Sequence, residues 1–414
     1  MQTVDVGELA VSAYRTVAYE ETARRNAGEE SFRDGDFVFV HDPQPAAILS
    51  FADKANAKRV WRWYLDTSQP QPETWDYVAK FVDGAGRPDR RLPRRFPRDG
   101  KERTIMTTRR WHGGQLRWNT ESQAWSILAP GRQDRPHVSG RAGCPFCPGP
   151  GEDTPPETWR LPDGDGWLVR TVPNRYALSD RHEIVIESPR HDWDLSTATV
   201  AEAAAVLSAW QTRHRELRAG AAQIAVFRNH GPAAGISLAH PHSQIAGLPV
   251  LSESARRNLE VTREHHARTG RRLAEDLLAV ELSTGSRIVS ADEEIVAFSP
   301  FSGTANYEVW FVPRTPAADF AAAPRSTVDA LARALRTVLA ALRGELSDPA
   351  YNLVVHTAPT GYEDAPFAAW SVRLAPRLEI AAGLELATGI PVVTVAPETA
   401  AARLRARIAP SLVS

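Results

Sequence analysis

One order of elements occurs twice along this chain, and that repetition limits the possible folds more than any single motif does. In the first copy, strand candidates at 169–172 and His182–Ile186 precede a helix, and two further strands follow, one at 224–227 and one running on from His240. In the second copy, strands at Ile295–Phe298 and 307–312 precede a helix with Val328, Leu331, Leu335, Val338 and Leu342 on one face, and strands at 351–355 and 370–374 follow. Strand pair, helix, strand, strand is an α+β unit. Its duplication predicts antiparallel sheet units with packed helices. The expected division is an N-terminal extension over 1–112, a first repeat over 113–250 and a second over 251–414.

The two copies differ where chemistry would sit. The first runs from Phe227 through Arg228-Asn229-His230-Gly231-Pro232-Ala233-Ala234-Gly235-Ile236-Ser237 into Leu238-Ala239-His240-Pro241-His242-Ser243-Gln244. Residues 240, 242 and 244 alternate, so on a strand they share one face. Two imidazoles and a carboxamide on one face, beside backbone donors freed by Gly231 and Gly235, suit a phosphate-handling site. A strand edge that merely contains histidine is the competing reading, and the pattern alone does not choose between them. The corresponding run of the second copy is Ala369-Trp370-Ser371-Val372-Arg373, without histidine. Only the first copy is expected to be catalytic.

The chain has two cysteines, both in the unit Cys144-Pro145-Phe146-Cys147. In a reducing compartment this spacing gives half a metal site or a redox pair, not a structural disulfide. His191 and His240, at strand ends, are candidates for the other half. Two thiolates with two neutral imidazoles make a closed, charge-neutral tetrahedral zinc site with no position open to substrate, which is a structural role. The alternatives are a reduced, unmetallated pair, or a redox motif that lacks the flanking βαβ pattern. If His240 holds zinc, His242 is the free imidazole on that face, competent as a nucleophile toward phosphorus. Gln244 can donate to a phosphate oxygen but cannot protonate a leaving group, which favours transfer between phosphates over hydrolysis.

Composition bounds the rest. With 414 residues, 43% apolar and 24% charged content and a net charge of −1, the chain reads as a globular protein without an electrostatic case for nucleic acid or membrane binding. No apolar run approaches the ~20 residues of a membrane span and no signal segment is evident, so a cytoplasmic location is expected. Residues 1 to about 110 differ in texture, with a strand at 37–40, aromatic residues Trp61, Trp63 and Tyr64, and an arginine- and proline-rich run from Arg87 to Arg103. That run reads as a solvated linker or arm, with a phosphate- or nucleic-acid-binding patch as the alternative. In the first repeat the helix should begin near Ser196 or Thr197 and stop by Gly220. A long polar helical stretch covers 251–282, with His265 and His266 on its surface.

Several of these segments together resemble the galactose-1-phosphate uridylyltransferases, a nucleotidyltransferase branch of the histidine-triad superfamily. The resemblance covers roughly 115–410. It is carried by Pro130-Gly131-Arg132-Gln133-Asp134-Arg135-Pro136, Cys144-Pro145-Phe146-Cys147-Pro148-Gly149, Val172-Pro173-Asn174-Arg175-Tyr176, His182-Glu183, Glu187-Ser188-Pro189-Arg190-His191 and the run ending in His-Pro-His-Ser-Gln. It implies histidine-triad-like repeats, one structural zinc on Cys144, Cys147, His191 and His240, a nucleotidylated His242 and a phosphate-binding Gln244. By the same resemblance Arg132, Arg135, Asn174, Asn229 and Ser237 contact nucleotide or phosphate, and Phe227 and Gly235 shape the pocket. The implied reaction is ping-pong exchange of a nucleoside monophosphate, UMP in the family's usual chemistry, between sugar-1-phosphates. Its substrates are a nucleoside diphosphate-sugar and a phosphate acceptor, and the implied assembly is a homodimer. A phosphorylase or hydrolase of nucleoside diphosphate-sugars or dinucleoside polyphosphates, or an inactive nucleotide-binding protein, are the rivals. Two departures stand out. His356 remains alone where the family's second metal site would be, so no second metal is expected. Of the sugar-contacting segment only Glu385 is retained, with Leu384 in place of an aromatic residue.

Overall fold

The computed structural model describes residues 37–41, 58–62, 107–111, 114–133, 143–162 and 166–408. The chain divides into two units, 1–102 and 103–414. In the first, β1 (Phe37–His41) and β2 (Lys58–Arg62) pair in parallel. Trp63, Tyr64 and the arginine-rich run lie outside the described residues, and so does the side chain of Trp61.

The second unit opens with a three-stranded antiparallel sheet of β3 (Thr108–Trp111), β4 (Gly114–Asn119) and β5 (Ala124–Leu128). A side chain at Gly114 would put its Cβ 1.9 Å from the Leu128 carbonyl oxygen, so only glycine lets these strands approach so closely.

The main sheet has ten strands: β6 (Trp159–Leu161), β7 (Val169–Pro173), β8 (His182–Ile186), β9 (Gln223–His230), β10 (His242–Leu248), β11 (Ile288–Ala291), β12 (Ile295–Phe298), β13 (Val309–Pro313), β14 (Tyr351–His356) and β15 (Ser371–Pro376). The order across it is β11-β12-β13-β15-β14-β9-β10-β8-β7-β6, and every pairing is antiparallel. Counted inward from either edge the halves read alike, first, second, third, fifth, fourth, and they meet where β14 pairs with β9. The duplicated α+β organisation is therefore the plan of the sheet. Each half holds one short outer strand, β6 or β11, that the periodicity did not reveal; three or four residues are too few to establish an alternation.

Helices α1 (Val200–Leu217) and α4 (Arg325–Leu346) sit on one face of this sheet and pack on each other. Between them, α2 (Glu253–Thr269) and α3 (Leu273–Thr284) connect the two halves; α5 (Gly383–Thr388) and α6 (Pro397–Ile408) close the described chain. The predicted stripe on α4 is fully interior, with Val328, Leu331, Leu335, Val338 and Leu342 at most 1% exposed. Burial of each such side chain stabilises the fold by about 1.5–3 kcal/mol. Trp210 of α1 and Phe311, Phe320, Trp370 and Leu374 complete the same core.

Two helix boundaries differ from expectation. Helix α1 is capped by Thr199, whose side chain accepts from the Glu202 N–H while Glu202 accepts from the Thr199 N–H, a reciprocal capping box. Ser196 is taken up instead by a turn on Asp194, which accepts from its backbone N–H. The stretch 251–282 is broken into α2 and α3 by Gly270 at φ +72°. The break turns His265 onto Asp276, 2.8 Å away, and His266 toward Phe367, so both rings are half-buried and not on the open surface.

A buried ionic cluster ties the halves together. The Arg228 guanidinium, 2% exposed, donates to Glu187 on the exit from β8 at 2.9 Å and to the Tyr351 hydroxyl on β14. Burial opposes its charge, but Glu187, Tyr351 and Asp194 together outweigh that and raise its pKa. Removing the carboxylate leaves this cation with the neutral Tyr351 hydroxyl and, as counter-charge, the more distant Asp194 at 3.7 Å. Glu187→Ala is expected to cost about 3 kcal/mol, read as a lower midpoint in urea denaturation with an unchanged slope; a shift below about 1 kcal/mol would show that Asp194 suffices.

Candidate active site

The site lies on the sheet face away from the helix core. Ser243 and Ile245 of β10 point into that core, where Trp210 donates its indole N–H to the Ser243 hydroxyl at 2.7 Å. Their neighbours His242 and Gln244 therefore point to the other side, as the alternation predicted. Phe227 of β9 pairs with Gln244 and Arg228 with Ser243 across the ladder, and Asn229, the next residue of β9, returns to the Phe227 face.

At the start of β10 the four predicted metal ligands converge. The ligand atoms of Cys144, Cys147, His191 and His240 all lie within 4.8 Å of one another. His240 Nδ1 is 3.7 Å from the Cys144 sulfur and 3.5 Å from that of Cys147, and His191 Nδ1 is 3.3 Å from the Cys147 sulfur. Zinc held tetrahedrally by sulfur at about 2.3 Å and nitrogen at about 2.0 Å spaces its ligands about 3.3–3.8 Å apart, so these residues fit the ion. The second shell agrees. His240 donates from Nε2 to the Ser188 carbonyl at 2.8 Å, which leaves Nδ1 unprotonated toward the sulfurs. Burial holds its pKa down at about 4, so the ring is neutral.

His242 is oriented by its own backbone. Nδ1 is 2.8 Å from the His240 carbonyl, which can only accept, so the proton sits on Nδ1 and Nε2 carries the free lone pair. Burial lowers its pKa, which keeps the ring neutral and nucleophilic. Phe146, from between the two cysteines, packs edge-on against it with ring centroids 5.6 Å apart.

Gln244 is set by His182, a residue to which the sequence alone assigned no role. Leu178 donates its backbone N–H to His182 Nδ1 at 2.9 Å, which fixes the proton of that buried ring on Nε2. Nε2 in turn donates to Gln244 Oε1 at 3.0 Å. Asn174, whose own oxygen accepts from the Tyr176 N–H, points its amide nitrogen at the same Oε1, 3.5 Å away. The Gln244 oxygen is thereby occupied, and its NH₂ is left as a donor.

These groups open on a cavity of about 330 Å³ lined by Arg132, Asn174, Ser237, His242 and Gln244, and also by Phe146, Arg175 and Tyr176. Arg132 is held by a bond to the Tyr176 carbonyl at 2.6 Å. Arg175 is paired with Asp153 at 2.7 Å, which holds that carboxyl below its ordinary range. Arg135 lies outside the described residues. Gly235 closes the short 3₁₀ turn Pro232–Ala234 in the left-handed region at φ +84°. Phe227, Asn229 and Gly235 do not line this cavity, although the first two share the His242 face. Glu385 is not brought to it either; it sits in α5, where its carboxylate accepts from the Ala382 N–H at the start of the helix. In the second half, His356 pairs across the ladder with Ser371, and burial together with Arg373 holds its pKa down at about 3.

Comparison with known proteins adds the following. The N-terminal domain of galactose-1-phosphate uridyl transferase matches residues 180–251, the segment from the start of β8 to just beyond β10. The N-terminal domain of trehalose synthase matches residues 3–87. An ADP-glucose phosphorylase of Arabidopsis thaliana is 27% identical over 328 residues, covering 70% of this chain and 92% of that protein. Among solved structures, a uridylyltransferase superposes with a TM-score of 0.63 at 27% identity, covering 71% of this chain and 98% of that one. The structure of an Arabidopsis thaliana ADP-glucose phosphorylase with bound ADP-glucose gives a TM-score of 0.58 at 28% identity, covering 70% and 98%.

Proposed function

This chain belongs to the galactose-1-phosphate uridylyltransferase family, and on that premise we propose that it moves a nucleoside monophosphate from a nucleoside diphosphate-glucose to a phosphate acceptor through a covalent nucleotidyl-His242 intermediate. The observation that carries this reading is the His242 ring, neutral, protonated on Nδ1 and presenting Nε2 toward the cavity face beside the Gln244 amide. In the first half-reaction Nε2 attacks the α-phosphorus, the bond to the bridging oxygen breaks, and glucose-1-phosphate leaves as a stable anion that needs no proton. Negative charge gathering on the non-bridging oxygens meets the Gln244 NH₂ and Arg132. In the second, an acceptor phosphate oxygen attacks the same phosphorus and His242 leaves as a neutral imidazole with its Nδ1 proton in place.

Two acceptors compete. Exchange of UMP between sugar-1-phosphates is what the sequence led us to expect. Orthophosphate as acceptor, with ADP-glucose as donor, is favoured by the ADP-glucose phosphorylase that this chain matches over 92% of its length. A glucosyl donor also agrees with the trehalose synthase-like segment at 3–87, since trehalose is a disaccharide of glucose. In this reading 113–250 is the catalytic repeat and 251–414 its non-catalytic partner, working in a reducing cytoplasm that keeps the two cysteines reduced and available to zinc. A homodimer is supported by the exposed apolar side chains of Ile380, Leu384, Leu386 and Ile390, at 56–95% exposure, and would offer Glu385 a route to the site of the other copy.

The test is to label His242 with donor carrying ³²P at the α-position and to ask what discharges it. ADP-glucose is expected to label more efficiently than UDP-glucose, and orthophosphate to release labelled ADP. Discharge by galactose-1-phosphate alone, from a uridylylated enzyme, would return the reading to sugar exchange. Release of AMP to water without acceptor would make the protein a hydrolase.

A further inference from the structure

The loop that follows β9 leans on the second half of the molecule at each step. A Cβ at Gly231 would lie 2.8 Å from the Ala350 Cβ and 3.0 Å from its Cα, so the backbone there runs against the entry to β14. His230 stacks on Tyr351, centroids 4.7 Å apart at 17°. Asn352 donates from Nδ2 to Asn229 Oδ1 at 2.8 Å and to the Ala234 carbonyl at 3.1 Å, and Arg377 donates from Nε to Asn352 Oδ1 at 2.6 Å.

These bonds set the direction of two amides. A guanidinium has donors only, so Asn352 must turn its oxygen to Arg377 and its NH₂ to the loop. The Ala234 carbonyl, which only accepts, requires the same orientation. The oxygen of Asn229 is then occupied, and its own NH₂ is the group left over. Asn229 lies on the β9 face opposite the buried Arg228, and it and His242 are the residues next to the Arg228–Ser243 pair, with side chains on the same face of the sheet.

We infer that Asn352 and Arg377, both in the second repeat, are positioning residues for the transfer step: they hold Asn229 with its NH₂ toward the phosphoryl group received by His242. The inference rests on the reading of His242 given above. It assigns a task to the repeat that lacks the histidines, which is to keep the anion-binding loop of the other repeat in register.

Asn352→Asp tests this sharply. The substitution is isosteric and strengthens the contact to Arg377, but it offers Asn229 only an acceptor. Asn229 then satisfies it by turning over, which presents a carbonyl oxygen to the phosphate. Single-turnover labelling of His242 at saturating donor is expected to slow about 100-fold in Asn352→Asp and about 10-fold in Asn352→Ala, because one misplaced donor at a developing oxyanion costs about 10²–10³-fold. Arg377→Lys keeps a donor and should stay within about threefold of wild type, with Arg377→Ala lower. In an Asn229→Ala background, Asn352→Ala should change nothing further. A purely structural role predicts that the rate falls only as the melting temperature falls, since in Asn352→Asp the carboxylate also faces the Ala234 carbonyl. That pattern, or a loss that persists without Asn229, overturns the inference. Should wild-type protein never label, the transfer reading fails, and the positioning claim is decided by ADP affinity: a fall from wild type to alanine to aspartate supports it, and equal affinities refute it.

Discussion

His242→Ala is expected to lower kcat for nucleotidyl transfer by about four orders of magnitude or more, while the affinity for the nucleoside diphosphate-glucose stays within a few-fold. The asymmetry follows from what the ring does. Its Nε2 forms the bond that carries the nucleotide between the half-reactions, so without it neither half-reaction has a path. Binding depends on other groups, Arg132, Asn174 and Gln244 among those lining the cavity. Loss in kcat with binding retained is the signature of a group that acts in the transition state. Neighbouring imidazoles cannot substitute: His240 and His191 face the cysteine sulfurs, and both nitrogens of His182 are engaged, with Leu178 and Gln244. The measurement is a burst of glucose-1-phosphate on mixing enzyme with donor, beside calorimetric titration of donor into the variant. A retained burst would place the nucleophile elsewhere and remove the basis of the proposed mechanism.

How much of this could be read from the chain divides along a physical line. Whatever depends on local period was legible. The alternation at 240, 242 and 244 put His242 and Gln244 on one face because a strand leaves no other choice, and the helical stripe from Val328 to Leu342 is the interior face of α4. Element order, taken twice, gave the sheet. Whatever depends on register between distant strands was not legible. His182 reaches Gln244 because β8 pairs with β10 as Gln244 to Ile184 and Ala246 to His182, a relation across 62 residues. The Asn352–Asn229 bond crosses the junction of the halves, which only the assembled sheet defines. Some misses were local and had signals. Thr199-Val200-Ala201-Glu202 spells a capping box, but Ser196 and Thr197 come first and are equally good caps in isolation. Gly270 inside a polar helical run costs only about 1 kcal/mol, so its presence alone did not demand the break it makes.

The second large effect concerns the metal centre. Cys144→Ser is expected to reduce bound zinc from one ion per chain to a small fraction and to lower the melting temperature by about 10 °C or more. A serine hydroxyl at neutral pH supplies no thiolate, and a four-ligand structural site that loses one ligand binds far more weakly. The stability loss follows from where the ligands sit. Cys144 and Cys147 belong to a loop with no helix or strand of its own; His191 follows β8 and His240 precedes β10, so one ion would join three separate pieces of chain. Binding energy of that kind is folding energy, and losing about 3–5 kcal/mol of it in a unit of this size corresponds to roughly the stated shift. Catalysis should fall as well, by a path distinct from nucleophile loss. Phe146 packs edge-on against both His240 and His242 and lines the cavity, so a loosened loop frees the His242 ring from one side. Donor affinity and kcat should therefore decline together, unlike the His242→Ala pattern, and acidification should reproduce the loss because protons compete with the metal for sulfur and imidazole. The checks are zinc content by atomic emission and melting followed by circular dichroism, with wild type treated with chelator as the parallel sample. If Cys144→Ser melts and turns over as wild type does, the two cysteines are an ordinary reduced pair, and the hydrogen bonds from His240 to Ser188 and from His242 to the His240 carbonyl hold the site without help from a metal.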